Sequence, residues 1–309
     1  MPEQKRMGDA NKITRDFFDA LLVEMRHIDA ILPDTTLHLY GETFSTPVMM
    51  AALSHLDSCH PDGMAEMARG AKAANAVNWA GMGDEAELTR ITATGARTIK
   101  IIKPYADNER IFKKIAHAEA CGCLAVGMDI DHAYDHAGEY DVILGERMSG
   151  KTLDEIKAFI QATKLPFVMK GVLSVRDAAK CLEAGARGIV ISHHHGIMDF
   201  ALPPLMALPG IAIEVNGQIP IFVDCGVENG YDVFKALALG ATAVSVGRAI
   251  MGPLSENGAS GVTKAIIGMT SQLKSMMART ASTDVASIDP DLIYLTFPGL
   301  SSHEWTRII

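Results

Sequence analysis

The chain has 309 residues, 48% of them hydrophobic and 21% charged, with a formal net charge of −9. That composition supports a sizeable core, and the acidic balance argues against a general nucleic-acid binder. No segment reaches the ~18–20 continuous apolar residues of a membrane span, and the N-terminal MPEQKRMGDANKITRDFF lacks the apolar centre of a secretory signal.

Residues 1–45 read as an N-terminal extension. Beyond it, short apolar runs recur, each followed by a turn and a segment of helical period. The runs are PVMMAA (47–52), AVNWA (76–80), TIKII (98–102), LAVGMD (124–129), PFVMK (166–170), GIVIS (188–192), PIFVD (220–224) and AVSVG (243–247). Most lack polar alternation, as parallel strands covered by helices do. Helices are predicted over 62–75, 84–94, 107–121, 152–163, 174–184, 231–239 and 260–279. Asp84, Asp107 and Ser174 are start signals, and EAGA and LALGA end at a glycine. Strand–helix units repeated in this order predict an α/β fold, a (β/α)8 TIM barrel. The expected organisation is one domain over 1–309, with the barrel at 46–280 and a tail at 281–309. The odd set of cysteines (Cys59, Cys121, Cys123, Cys181 and Cys225) reads as reduced thiols of a cytoplasmic protein.

A barrel builds its site at the C-terminal ends of its strands. Those ends carry Ser54 and His55, Asn78, Lys100, Asp129, Lys170, Ser192 with three histidines, Asp224, and Gly247 with Arg248. DCGVENGYD and SVGRA follow the last two runs, where glycine admits close backbone approach and Arg248 offers a fork to a phosphate. Lys170 needs a negative partner in the barrel mouth. The N1–C2=O edge of a reduced flavin is one, and a structural ion pair with Asp129 or Asp224 is the other. In DIDHAYDH (129–136), His132 and His136 have helical spacing, but nothing fixes a tetrahedral set, so no metal is expected.

FVMKGVLSVRDAAKCLEAGARGIVISHHHG and IPIFVDCGVENGYDVFKALALGATAVSVGRAIM resemble the FMN-dependent α-hydroxy-acid oxidase and dehydrogenase family, as does STPVMMAALSHLDSCHPDGMAEMARGAKAANAVNWAG. The likeness covers most of 45–285 and implies an FMN-dependent oxidoreductase acting on a CH–OH group of a small molecule. It implies a flavin-side Lys170, a catalytic His194 in SHHHG, and Asp129 paired with that histidine. The phosphate site falls on Asp224, Gly226, Gly247 and Arg248, with Ser192 at the neighbouring strand end. Ring contacts fall on Asn78, on Lys100 in place of a glutamine, and on the backbone of Ala51, Ala52 and Leu53. A homo-oligomer is also implied; the electron acceptor is left open.

The departures lie on the substrate side. Ile197 stands where the family has a carboxylate-clamping arginine, and no arginine occurs between Arg187 and Arg248. His136 falls near a second substrate arginine and Ile102 on a substrate tyrosine. Glu228 occupies a usually basic position, and only 36 residues separate Asp129 from Pro166, which shortens the family's lid. His193 replaces an asparagine and His195 a glycine, either as further polar groups of the pocket or as partners for nearby backbone. Altered specificity is the expectation, with poor turnover of glycolate and L-lactate; efficient turnover of either would mean that Lys100 or Lys103 replaces the clamp. A flavin-dependent isomerase resembling type 2 isopentenyl diphosphate isomerase, and a flavin-binding protein without turnover, are the alternatives.

Overall fold

The computed structural model describes residues 8–296 and the strand Thr306–Arg307. Every apolar run forms a barrel strand: β1 Val48–Met50, β2 Asn78–Ala80, β3 Thr98–Ile102, β4 Ala125–Asp129, β5 Phe167–Val172, β6 Gly188–Ile191, β7 Ile221–Val223 and β8 Ala243–Val246. Parallel ladders run in chain order from β2 to β8 and then to β1. The ring closes where Met50 N–H donates to the Val77 carbonyl at 3.0 Å.

The helices are α1 Ala10–Ala20, α2 Gly63–Ala73, α3 Glu85–Ala93, α4 Asn108–Ala120, α5 Leu153–Gln161, α6 Val175–Ala184, α7 Pro204–Val215, α8 Gly230–Ala238 and α9 Arg248–Arg279. The start signals act as the sequence suggests: the side chains of Asp84, Asp107 and Ser174 each accept a backbone N–H of the first turn. Two helices and part of a third escaped the pattern. PLMALPGIAIEV (α7) is apolar on most sides and carries Pro209, so it has no polar face to reveal a period. α1 lies inside the expected extension, and α9 begins at Arg248, turning at Gly258 (φ +54°) before the predicted 260–279 segment.

Side chains divide into two layers. Met49, Val77, Trp79, Ile99, Ile101, Val168, Val190, Phe222 and Ala243 fill the barrel, with Trp79 edge-on to Phe222 at 5.4 Å. The alternate strand residues, among them Met50, Ile102, Met128 and Val223, pack outward against the helices. A hairpin of Leu37–Leu39 and Glu42–Phe44 adds Leu37, Leu39 and Phe44 to the inner layer and plugs the N-terminal end. The opposite end stays open, crossed by α1.

Candidate active site

A cavity of about 520 Å³ opens at the C-terminal end of the barrel. Ala51, Ala52 and Leu53 form one wall, Lys170 and His194 the floor, and Gly226, Gly247 and Arg248 the far end, with His195 beside them. Asn229 caps α8 through Oδ1, but no side chain caps α9, whose first residues line the cavity. An uncapped helix start beside an arginine is complementary to an anion. The donor set therefore fits the phosphate of a flavin mononucleotide, with the apolar wall for its ring and Lys170 for its polar edge.

The floor is a charged cluster. Asp129 ends β4 and meets Lys170 Nζ at 3.2 Å and Lys103 Nζ at 2.8 Å. Lys170 also reaches Asp224 at 3.4 Å. Burial alone would raise the Asp129 carboxyl, but Lys170 and Lys103 outweigh it and hold the group well below the usual carboxylate range. Burial alone would likewise discharge Lys170, yet Asp129 and Asp224 keep it firmly protonated. Both partners that the sequence offered Lys170 within the chain are therefore engaged.

The three histidines have three different environments. His194, at φ +47°, presents Nδ1 to Asp131 Oδ1 at 3.0 Å and to Asp129 Oδ1 at 3.7 Å. A carboxylate accepts, so Nδ1 carries the hydrogen and Nε2 holds the lone pair, 3.4 Å from Lys103 Nζ. Ser192 Oγ accepts the His194 backbone N–H at 3.0 Å and braces the turn. His132 packs edge-on to the His194 ring at 4.5 Å, and burial, with Lys103 and His194 adding to it, lowers its pKa to about 4. His193 is buried: Nδ1 accepts the Gly196 N–H at 2.9 Å and Nε2 meets Thr14 Oγ1 of α1 at 2.7 Å. Both its nitrogens are engaged, as in the backbone-partner alternative, and the residue also lines the cleft that holds His136 and Ile197. His195 reaches Asn11 of α1 and lines the cavity.

Three expected contacts move out of the site. Asn78, Lys100 and Ile102 have their side chains on the helix side of β2 and β3. Asn78 Nδ2 donates to Thr98 Oγ1 at 3.2 Å, Lys100 Nζ bonds the Gly81 carbonyl, and Ile102 joins the outer core. Burial, with help from Lys114, lowers Lys100 to about 8. Side chains alternate along a strand, so an error of one residue exchanges the two faces. The inward positions are Trp79, Ile101 and, just past β3, Lys103. His136 and Ile197 are exposed and line a neighbouring cleft of about 790 Å³ that also holds Asp131, Asp135 and Asp199.

Asp131 and α1 are the parts of the site that the sequence reading missed, and Lys103 entered that reading only beside Lys100, as a stand-in for the absent arginine. Counting inward positions from Ile99 finds Lys103, and the same parity in MDID finds Asp131; the local signal for α1 is Asp9, whose side chain accepts the Asn11 N–H as an N-cap. Arg15 of α1 pairs with buried Asp232 through two bonds of 2.8 and 2.9 Å and donates to the Gly226 carbonyl, fastening the extension to the β7–α8 loop. Asp129, Asp131 and His194 bring ligand atoms within 4.8 Å of one another, but the lysines already compensate Asp129.

A family model described as FMN-dependent dehydrogenase matches residues 5–152 and 139–295. The two matched stretches overlap at residues 139–152, in the segment between β4 and α5. Glycolate oxidase of Spinacia oleracea is 28% identical over 334 residues, covering 95% of this chain and 90% of its own. L-lactate oxidase of Roseobacter sp. (strain GAI101) is 28% identical, covering 84% and 79%. The crystal structure of a mandelate oxidase superposes with a TM-score of 0.84 at 27% identity, covering 92% of this chain and 89% of that one.

Proposed function

The chain belongs to the FMN-dependent dehydrogenase family, and from that premise we propose how its own residues oxidise a CH–OH substrate and which substrates they accept. It is an FMN-dependent oxidoreductase of the α-hydroxy-acid oxidase type. The observation that carries the mechanism is the His194 tautomer: Asp131 takes Nδ1–H, which leaves Nε2 as a base aimed beside Lys103.

Oxidising the carbinol removes one proton and a two-electron hydrogen equivalent, and FMN when bound supplies the electron acceptor. His194 Nε2 takes the proton, and Asp131, backed by Asp129, stabilises the imidazolium so formed. Lys170 holds positive charge against the polar edge of the ring site. Lys103 Nζ, 3.4 Å from Nε2, is the cation nearest the base and holds the substrate oxygens. It takes over where Ile197 supplies no arginine, as a compact point charge in place of a bidentate fork. Short acids such as glycolate and lactate therefore lose the planar clamp, and acids with bulkier apolar groups are the preferred class. His136 and Ile197, in the adjoining cleft, meet the far end of a longer substrate.

Anaerobic mixing with a panel of 2-hydroxy acids and simple alcohols tests this, together with mass spectrometry of the released cofactor. Bleaching of bound FMN by bulky 2-hydroxy acids is expected. Isomerisation without net reduction, or no spectral change with any donor, would select one of the two alternatives instead. The five cysteines are free, and among the described residues no helix is long and apolar enough to cross a membrane. The thiols and the family resemblance support a cytoplasmic homo-oligomer.

A further inference from the structure

His195 has backbone φ +58°, a left-handed conformation that disfavours any residue with a Cβ and suits glycine. It is held there by Asn11 of α1. Asn11 Nδ2 donates to the His195 carbonyl at 3.0 Å and lies 3.3 Å from Asp9 Oδ1, which fixes the orientation of the amide. Its Oδ1 then meets His195 Nδ1 at 2.7 Å and accepts from Arg248 Nη2 at 3.1 Å. An amide oxygen only accepts, so Nδ1 carries a hydrogen in both protonation states of the ring. Nε2 is consequently a bare lone pair when the ring is neutral and a donor only when it is charged.

His195 lines the same cavity as Arg248, Gly226, Gly247 and the uncapped start of α9. At that end Glu228 replaces the base that the resemblance leads one to expect, and it lies 4.0 Å from Arg15. One arginine is thus left to face a dianion.

We propose that His195 is the second cation of the FMN phosphate site, binding as the imidazolium through Nε2–H, so that cofactor binding takes up a proton. The inference rests on the FMN reading of this cavity. The groups facing His195 come from every side. Burial, then Arg248 of α9 and His194 of the same loop, lower its pKa in the absence of a ligand, while Asp9 before α1 opposes them. Its backbone N–H donates to Cys225 Sγ at 3.4 Å, and Asp224 and Glu228 stand in the cavity wall. A bound phosphate raises the imidazole pKa. Affinity is therefore greatest below the ligand-free pKa, falls as pH rises through the interval between the two values, and is level above the bound one.

The test is the dissociation constant of FMN, and of phosphate-free riboflavin, for the full-length apoprotein between pH 5.5 and 9 by flavin fluorescence. His195→Gly restores the residue the backbone prefers, and a thermal melt confirms its folding. The wild type should lose FMN affinity with rising pH. The variant should bind FMN about 10- to 100-fold more weakly at the acidic end, lose the His-dependent decline, and leave riboflavin unchanged. Identical FMN profiles for the two proteins, or equal losses for FMN and riboflavin, overturn the proposal. A wild type that binds no FMN at any pH overturns the cofactor assignment as well.

Discussion

Two side chains of the charged cluster, His194 and Lys103, divide the chemistry between them. His194→Ala removes the proton acceptor without touching the phosphate end, so FMN should remain bound while substrate-dependent bleaching slows by roughly 10²–10⁴-fold. Stopped-flow reduction under anaerobic conditions measures this, and retained bleaching at the wild-type rate would move the base elsewhere. Lys103→Met should act on binding: KM for 2-hydroxy acids rises about 10-fold or more, as loss of a charge-assisted contact implies, whereas KM for an uncharged alcohol changes little. Lys103→Arg should recover part of the acid preference. Equal effects on acids and alcohols would assign Lys103 to the support of Asp129 alone. His194 and Asp129 could be named from SHHHG and GMDID, because each sits at a strand end in a recognisable string. Asp131 could not, and Lys103 could not be told from Lys100, since their roles depend on which way the chain faces along and after the strand.

The contact between α8 and α9 shows how tightly the helical layer constrains the site it carries. A Cβ on Gly230 would lie 2.0 Å from the Met269 carbonyl oxygen, against backbone that has no freedom to retreat. Gly230→Ala should therefore destabilise by about 1–3 kcal/mol, the usual cost of overpacking. A Cβ on Gly268, on the same helix α9, meets nothing within 4 Å. Gly268→Ala should stabilise by about 0.5–1 kcal/mol through helix propensity. Urea denaturation of the pair checks both signs, and a common direction would contradict the steric account. α1 belongs to the same scale. Its sequence ANKITRDFFDA falls within the expected extension, yet Asn11, Thr14 and Arg15 all reach the loops after β6 and β7.

For the folded molecule as a whole, the buried ionisable groups set the pH range of stability. His132 is lowered to about 4 when folded, against about 6.5 when unfolded, so the unfolded chain binds more protons between those values. Its contribution is present above about pH 6.5 and lost as pH falls toward 4. Because the ring is partly exposed, the loss is on the order of 1 kcal/mol after solvent screening. Equilibrium unfolding from pH 7 to 4 should show that decline, and His132→Asn should flatten it; an unchanged slope would place the proton uptake on other groups. The sequence by itself determined the barrel, because eight apolar runs with capping and turn signals between them are local properties of the chain. It also determined that Lys170, Asp129, His194 and the Gly247–Arg248 pair stand at strand ends. Only the tertiary structure decided which face each strand turns inward, replacing Asn78, Lys100 and Ile102 with Trp79, Ile101 and Lys103. It alone brought Thr14 to His193 across 179 positions and gave His194 to Asp131. Apolar periodicity reports that a strand is buried on both faces; strand tilt, ring closure and long-range packing decide what each face meets.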